Sequence, residues 1–347
     1  MPLKPKRLGF FSRLLDVTTA GERYRLATEQ IAWAERHGFD TAWVAQHHFT
    51  ESEGGLPSPL VFLAHVAART TRIRLGTGII TLPMENALRV AEDTAVLDLL
   101  CGGRLEVGVG SGGTPSSFTS FGIDNAERGE VFAGNFRLLR DAWRGGALPG
   151  GQNHLYPAAA GLNDRVWQAT FSVEGGRRAG LAGDGLMLSR TQPRPDDAPN
   201  ATLADIQNPI IDAYLEALPP GREPRILGSR SVFVADDRKQ ARHFSQIGLS
   251  RHADRLRALG RAIPTETVDA MIRAGDSHVG TPEDVIASLA ADRSLDRATD
   301  LVVQVHSMDP PHPYILRSIE LMAEVVAPAF GWRRPAVAGT THLAAAG

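Results

Sequence analysis

Apolar positions along this chain fall into two spacings. Eight short, nearly continuous apolar runs recur: LGFFSRL (8–14), TAWVAQ (41–46), RLGTGII (74–80), LEVGVG (105–110), RVWQATF (165–171), GLMLS (185–189), RILGSRSVFVA (225–235) and LVVQVH (301–306). Runs that do not alternate predict strands covered on both faces, as in parallel sheets. Between them the spacing turns helical. Tyr24 to His37 carries Leu26, Ile31, Trp33 and Ala34 on one face. Pro59 to Arg69 has proline near its start, where the missing N–H costs little. Leu88 to Leu100 is stopped by Gly102 and Gly103, and Arg128 to Trp143 is amphipathic. A short helix separates the strands at 165–171 and 185–189. In 280–289, Thr281 is a candidate N-cap, with Pro282 at the first helical position and acids in the first turn. Repeated βα units imply right-handed crossovers and a parallel sheet. Eight of them predict one closed (β/α)8 TIM barrel.

Two segments depart from the repeat. Residues 145–164 are rich in glycine, proline and alanine and read as an inserted loop. Residues 236–280 are helical, strongly charged and longer than one barrel helix needs. They predict a helical excursion at the catalytic face before the eighth strand, either a lid or a solvated hairpin. Both segments are expected to read the substrate. The barrel is expected to span 1–330, with a small, polar, mobile tail at 331–347.

Composition changes this picture little. A chain of 347 residues suits one barrel with insertions. The hydrophobic fraction of 43% and charged fraction of 22% fit a globular protein. A net charge of -2 gives no reason to expect nucleic acid or an anionic membrane as partner. No apolar run is long enough to span a bilayer. The N-terminal MPLKPKRLGFF lacks the apolar core and cleavage site of a signal peptide, so a cytoplasmic location is expected. Cys101, the only cysteine, excludes an intrachain disulfide and reads as a buried structural thiol.

The candidate chemistry lies at strand ends, because a parallel barrel reacts at its C-terminal rim. His47 and His48 end the second strand. Neighbours on a strand point to opposite faces, so one imidazole faces the mouth and the other packs. An adjacent pair of histidines is, by itself, more often structural than catalytic. Glycines inside RLGTGII mark a bulge or a close approach to a ligand. The turn GVGSGG (108–113) lacks the spacing and first-strand position of a dinucleotide fingerprint. FSVEGG (171–176) offers the Ser172 hydroxyl and the amides of Gly175 and Gly176 at a helix start, a ready anion site. Arg190 ends the sixth strand and faces the mouth. His306, Asp309 and His312 keep a metal-dependent hydrolase open as a minor reading, although no metal ligand set is assigned.

The stretch from Phe39 to Gly113, with FDTAWVAQHHF, RIRLGTGIITLP and RVAEDTAVLDLLCGGRLEVGVGSGG, resembles the bacterial luciferase-like flavin monooxygenases. The resemblance continues more weakly to about Pro328. It implies an enzyme that uses reduced FMN and O2 to oxygenate a small organic substrate. The first histidine of the family's acid-His-His-Phe motif maps to His47 as the catalytic residue, and Gln46 stands where many relatives have glutamate. The family's non-prolyl cis peptide, which supports the flavin ring, maps to Gly78–Ile79, with Thr77 beside it. Gly110 and Ser111 fall in the segment after the fourth strand, and Ser111 stands where some relatives place an arginine for the flavin phosphate. Arg128 matches a second such arginine. The phosphate is expected at Ser172, Gly175 and Gly176, while Gln168 and Arg190 are expected to reach the flavin. The resemblance also implies a separate flavin reductase and a homodimer. Two alternatives remain. A deazaflavin-dependent oxidoreductase of the same fold would transfer hydride without O2, and the missing arginine at 111 weighs against its acidic tail. The other is a non-catalytic flavin-binding barrel, against which His47 argues.

Overall fold

The structure is a computed structural model that describes residues 5–258 and 265–332. Its strands are β1 (Arg7–Ser12), β2 (Thr41–Val44), β3 (Arg74–Thr77), β4 (Ile80–Thr81), β5 (Leu105–Gly110), β6 (Val166–Ala169), β7 (Gly185–Leu188), β8 (Ile226–Val234), β9 (Ser277–Gly280) and β10 (Asp300–Gln304). Short β4 continues β3 after a bulge, and β9 lies outside the ring. The other strands pair in parallel, and β10 closes the circle against both β8 and β1. This is the (β/α)8 barrel the apolar runs predict.

Two tryptophans fill the barrel's middle. Trp43 and Trp167 meet edge to face at 5.7 Å, packed with Met187, Leu227 and Val302. Their bulk is possible because the neighbouring strands carry glycine: a Cβ at Gly76 or Gly185 would sit 2.2 Å from an indole ring. Toward the N-terminal end the interior turns ionic. Glu106 accepts from Trp167 Nε1 at 2.7 Å and pairs with Arg74 at 2.6 Å. Toward the C-terminal end, Phe11, Ile79 and Ala169 sit on the tryptophan layer. That end is the mouth.

Helices α1 (Ala20–Arg36), α2 (Pro59–Ala67), α3 (Ala87–Leu100), α4 (Pro115–Ser120), α5 (Arg128–Trp143), α6 (Val173–Leu181), α7 (Leu203–Ala217), α8 (Arg238–Ala258), α9 (Val268–Ala274), α10 (Pro282–Ala290) and α11 (His312–Leu321) connect the strands. Helix α5 has the span its amphipathic pattern predicts. Helix α7 is not anticipated, because Pro209 inside it breaks the helical signal; a capping box of Thr202 and Asp205 starts it.

The two departures from the repeat resolve differently. Residues 145–164 run from the end of α5 to the start of β6, so they lie at the N-terminal end of the barrel. Arg165 there donates to the carbonyls of Gly103 and Leu105, at the start of β5. The expectation that this insert reads the substrate is therefore wrong: an αβ connection faces away from the mouth. Residues 236–280 follow β8 and do stand on the mouth side, as α8, α9 and the unanticipated strand β9, which pairs with the outer half of β8. Helix α8 rests on the loop after β10: Arg251 pairs with Asp309 at 3.0 Å, and a Cβ at Gly248 would come within 2.5 Å of the Met308 backbone. Residues 259–264 of the excursion, and 333–347 of the tail, lie outside the described residues. Among the described residues no helix is long and apolar enough to cross a membrane.

Candidate active site

His47 leaves β2 at the rim, and the following loop folds back beneath it. His47 N donates to Leu56 O at 3.0 Å. The ring lies against Gly54, where a Cβ would fall 2.5 Å from His47 Cδ2. This turn carries Glu53, whose Oε2 comes 4.0 Å from His47 Nδ1. Thr114 Oγ1 donates to the same carboxylate oxygen at 3.3 Å, and the Arg13 guanidinium donates to the Glu53 carbonyl. Both side chains are mostly buried, at 24% and 22% exposure. The sequence reading missed Glu53, because nothing in TESEGG distinguishes it from exposed Glu51. Gln46 does not hold the imidazole. It points the other way: its Nε2 donates to Glu85 Oε1 at 2.6 Å and its Oε1 accepts from Thr81 N at 2.7 Å. A carboxylate thus stands beside His47 after all, supplied from a loop and not from the preceding strand residue.

His48 packs against Phe121 and Phe49, at 4.9 and 5.7 Å between rings. Burial pushes its pKa down, and its Nε2 has no hydrogen-bond partner among the described residues.

The floor of the mouth is apolar. The Gly78–Ile79 peptide is cis, and Ile79 joins Phe11 and Ala169 above the tryptophans. Gly110 keeps this floor low: a Cβ there would strike Ile79 Cδ1 at 2.4 Å. Thr77 does not reach the floor. Its hydroxyl is fully buried, donating to Gly108 O at 2.8 Å and accepting from Gly108 N at 2.9 Å. It replaces strand pairing interrupted by the bulge, which corrects its expected contact with a flavin.

The rim beside β6 carries the candidate anion site. Ser172 caps α6, its Oγ accepting from Gly175 N at 3.1 Å, while Gly176 N donates to Ser172 O at 3.1 Å. The glycine amides are therefore used by the helix itself. The amides at Val173 and Glu174 are the ones without an intrahelical acceptor. Glycine serves another end here: a Cβ at Gly176 would lie 2.5 Å from Ile210 O, so α6 can approach α7. Arg128 opens α5, half-buried and held by Asn125 at 3.0 Å, and Ser111 follows β5 at the rim. Arg190 ends β7 at the mouth, donating to Gln304 Oε1 at 2.9 Å and Ser231 Oγ at 3.1 Å. Gln168 is not brought there. It sits on the outer wall of the barrel, donating to Asp184 Oδ2 at 2.8 Å and accepting from Arg178 Nε at 3.0 Å. Arg140 completes that network on Asp184 at 2.8 Å. An adjacent strand position faces the opposite way, which removes Gln168 from the flavin edge.

His306 and His312 both bond the Gln30 side chain, at 3.3 and 3.2 Å, while Asp309 lies apart from them on Arg251. His306 pairs with Asp16 at 3.4 Å, Asp309 with Arg251 and His312 with Glu29. Among the described residues no group of three such side chains gathers as metal ligands. A cavity of about 750 Å³ opens at the other, N-terminal end of the barrel, away from His47 and the apolar floor.

The mouth thus joins an apolar floor, the His47–Glu53 pair and a helix start on one rim. Residues 10–296 match the model of the luciferase-like monooxygenase family. The chain is 30% identical to a 4-hydroxyprotoasukamycin monooxygenase of Streptomyces nodosus subsp. asukaensis, over 94% of this chain and 93% of that one. Monooxygenase RslO1 of Streptomyces bottropensis superposes with a TM-score of 0.75 at 25% identity, over 93% and 99% of the two chains. Two further structures share the fold. The oxygenating constituent of 3,6-diketocamphane monooxygenase of Pseudomonas putida, solved with FMN, has a TM-score of 0.72 at 19% identity over 93% and 98%. An F420-dependent secondary alcohol dehydrogenase has 0.65 at 18% over 95% and 100%. The family match and the monooxygenase relative identify a flavin-dependent oxidoreductase. The chain belongs to the luciferase-like monooxygenase family.

Proposed function

We propose that this protein is an FMN-dependent monooxygenase that takes reduced flavin and O2 and oxygenates a small organic substrate. The observation that carries this reading is the His47–Glu53 pair standing on the same rim as the apolar floor of Phe11, Ile79 and Ala169. Bound FMN supplies the redox and oxygen chemistry. Ile79 and Phe11, with Gly78 and Gly110, take the ring. The hydroxyl of Ser172, the first amides of α6 and Arg128 hold the phosphate, and Ser111 leaves that load to them. Arg190 borders the mouth from β7 and contacts the cofactor there. Glu53 beside Nδ1 favours a proton on that nitrogen, so His47 Nε2 exchanges protons with the reacting groups. The reduced flavin comes from a separate reductase, and the enzyme works in the cytoplasm as a homodimer.

A deazaflavin would use the same barrel for hydride transfer, and the 30% identical monooxygenase relative together with serine at 111 favours FMN. Absorption spectra of the protein mixed with reduced FMN or reduced deazaflavin, with and without O2, separate the two. The expected result is that the protein alters O2-dependent reoxidation of FMN and leaves the deazaflavin unaffected. Substrate-dependent reduction of deazaflavin without O2 uptake would overturn the reading.

A further inference from the structure

The cavity at the N-terminal end of the barrel has its own chemistry. Four cations line it, Lys6, Arg7, Arg72 and Arg225, against two carboxylates, Asp40 and Asp300. Asp300 is engaged by Arg7 at 2.7 Å. Arg72 and Arg225 are held differently. The Arg72 guanidinium donates to the carbonyls of Phe39 and Glu35. Arg225 donates to Val166 O at 3.1 Å and lies 5.0 Å from the centre of the Trp167 ring. Carbonyls fix the direction of each guanidinium fork, and nearby Glu35 for Arg72, with Glu106 and Asp184 for Arg225, offset part of the charge. Trp332 closes one side of the same cavity, its ring stacked on Phe330 at 4.4 Å. Donors thus outnumber acceptors around a space within the range of ligand pockets, which is roughly 300–1,000 Å³.

We propose that this basal cavity is a second binding site, for a small organic anion with two or more acidic oxygens, clasped by Arg72 and Arg225. Arginine forks match carboxylate and phosphate oxygens, and both chemistries present the same acceptors. The site lies at the opposite end of the barrel from the FMN site proposed above and does not depend on that reading.

Tryptophan fluorescence of the full-length protein offers a direct test, because Trp167 lies under Arg225 and Trp332 lines the cavity. Citrate, glucose 6-phosphate and neutral glucose are titrated in turn. A saturable change is expected with at least one of the two anions and none with glucose, and which anion responds tells carboxylate from phosphate. Affinity should fall at least tenfold in Arg72→Gln and in Arg225→Gln, and should be retained in Arg128→Ala. Arg225→Lys keeps the charge and should recover part of the loss. Circular dichroism checks that each variant folds, and half-exposed Arg72 provides an informative variant if Arg225→Gln does not. No response to either anion, or a response lost in Arg128→Ala and kept in both arginine variants, would overturn the proposal.

Discussion

At the scale of single residues, the proton chemistry comes down to His47 and the carboxylate beside it. General acid–base groups contribute about 10²–10⁴-fold in rate, so His47→Ala should lower turnover by that order and leave FMN affinity nearly unchanged. Normal turnover in that variant would remove His47 from the mechanism. Glu53 lies 4.0 Å from Nδ1, too far for a direct hydrogen bond. Its influence is electrostatic or carried by a bridging water. Glu53→Gln should therefore cost less, roughly tenfold in kcat, with KM little changed. Nitrogen NMR of the imidazole gives an independent reading: the share of Nδ1-protonated tautomer should drop in Glu53→Gln and recover in Glu53→Asp. The family motif alone singled out His47 from two adjacent histidines, and the structure brings a carboxylate to that one. Glu53 was not legible, since its position depends on how a loop folds back on Gly54 and Arg13. Gln168 and Thr77 were misplaced for a simple reason. A strand end names residues near the mouth, and only the realised register and bulge say which of them face it.

At the scale of elements, the placement of α6 governs the phosphate site. Helix α6 lies so close to α7 that a Cβ at Gly176 would meet Ile210 O at 2.5 Å, and one at Gly180 would meet Tyr214 O at 2.3 Å. Alanine in a helix is favoured over glycine by about 1 kcal/mol. Overpacking costs about 1–3 kcal/mol, and here the obstacle is backbone, which cannot move aside by changing rotamer. Destabilisation should win. Gly180→Ala should lower the denaturation midpoint, and Gly176→Ala should also weaken FMN binding by displacing the first turn of α6. A stabilised Gly176→Ala with unaltered FMN affinity would show that α6 has slack. Direct contacts to the phosphate are probed separately. Ser172→Ala and Arg128→Ala should each cost about 1.5–3 kcal/mol if the contacts are charge-assisted, a loss that an FMN titration reads directly. FSVEGG marked the start of α6, but its glycine amides bond to Ser172 within the helix. The packing role of Gly176 depends on α7, an element that Pro209 hides from the sequence.

At the scale of the whole molecule, the eight apolar runs were enough to close the barrel, because continuous burial on both faces admits few architectures. Which end each loop faces follows from βα order, and 145–164 was misassigned because its composition marked an insert without saying on which end it lies. Solution behaviour adds two expectations. His306 is buried beside Asp16, and burial outweighs that carboxylate, so its pKa lies below the ordinary 6.5. The folded state then stays neutral while the unfolded chain takes up a proton, and stability should decline as pH falls through about 6.5. Denaturant unfolding at a series of pH values should show this slope, flattened in His306→Gln. The second expectation is the proposed homodimer, for which the described surface offers a face. Val61 on α2 and Val96, Leu99 and Leu100 on α3 are 73%, 46%, 66% and 66% exposed on neighbouring helices. Burying a leucine side chain fully is worth about 1.5–3 kcal/mol, and a standard interface covers roughly 800 Å² per partner. Four apolar side chains can form the centre of such a patch, and charge placed there would be desolvated without a partner. Sedimentation should therefore find a dimer at micromolar concentration, and Leu99→Glu with Leu100→Glu should shift it to a folded monomer that still binds FMN. A wild-type monomer under those conditions would refute the pairing, and an intact dimer in the double variant would place the interface on another face.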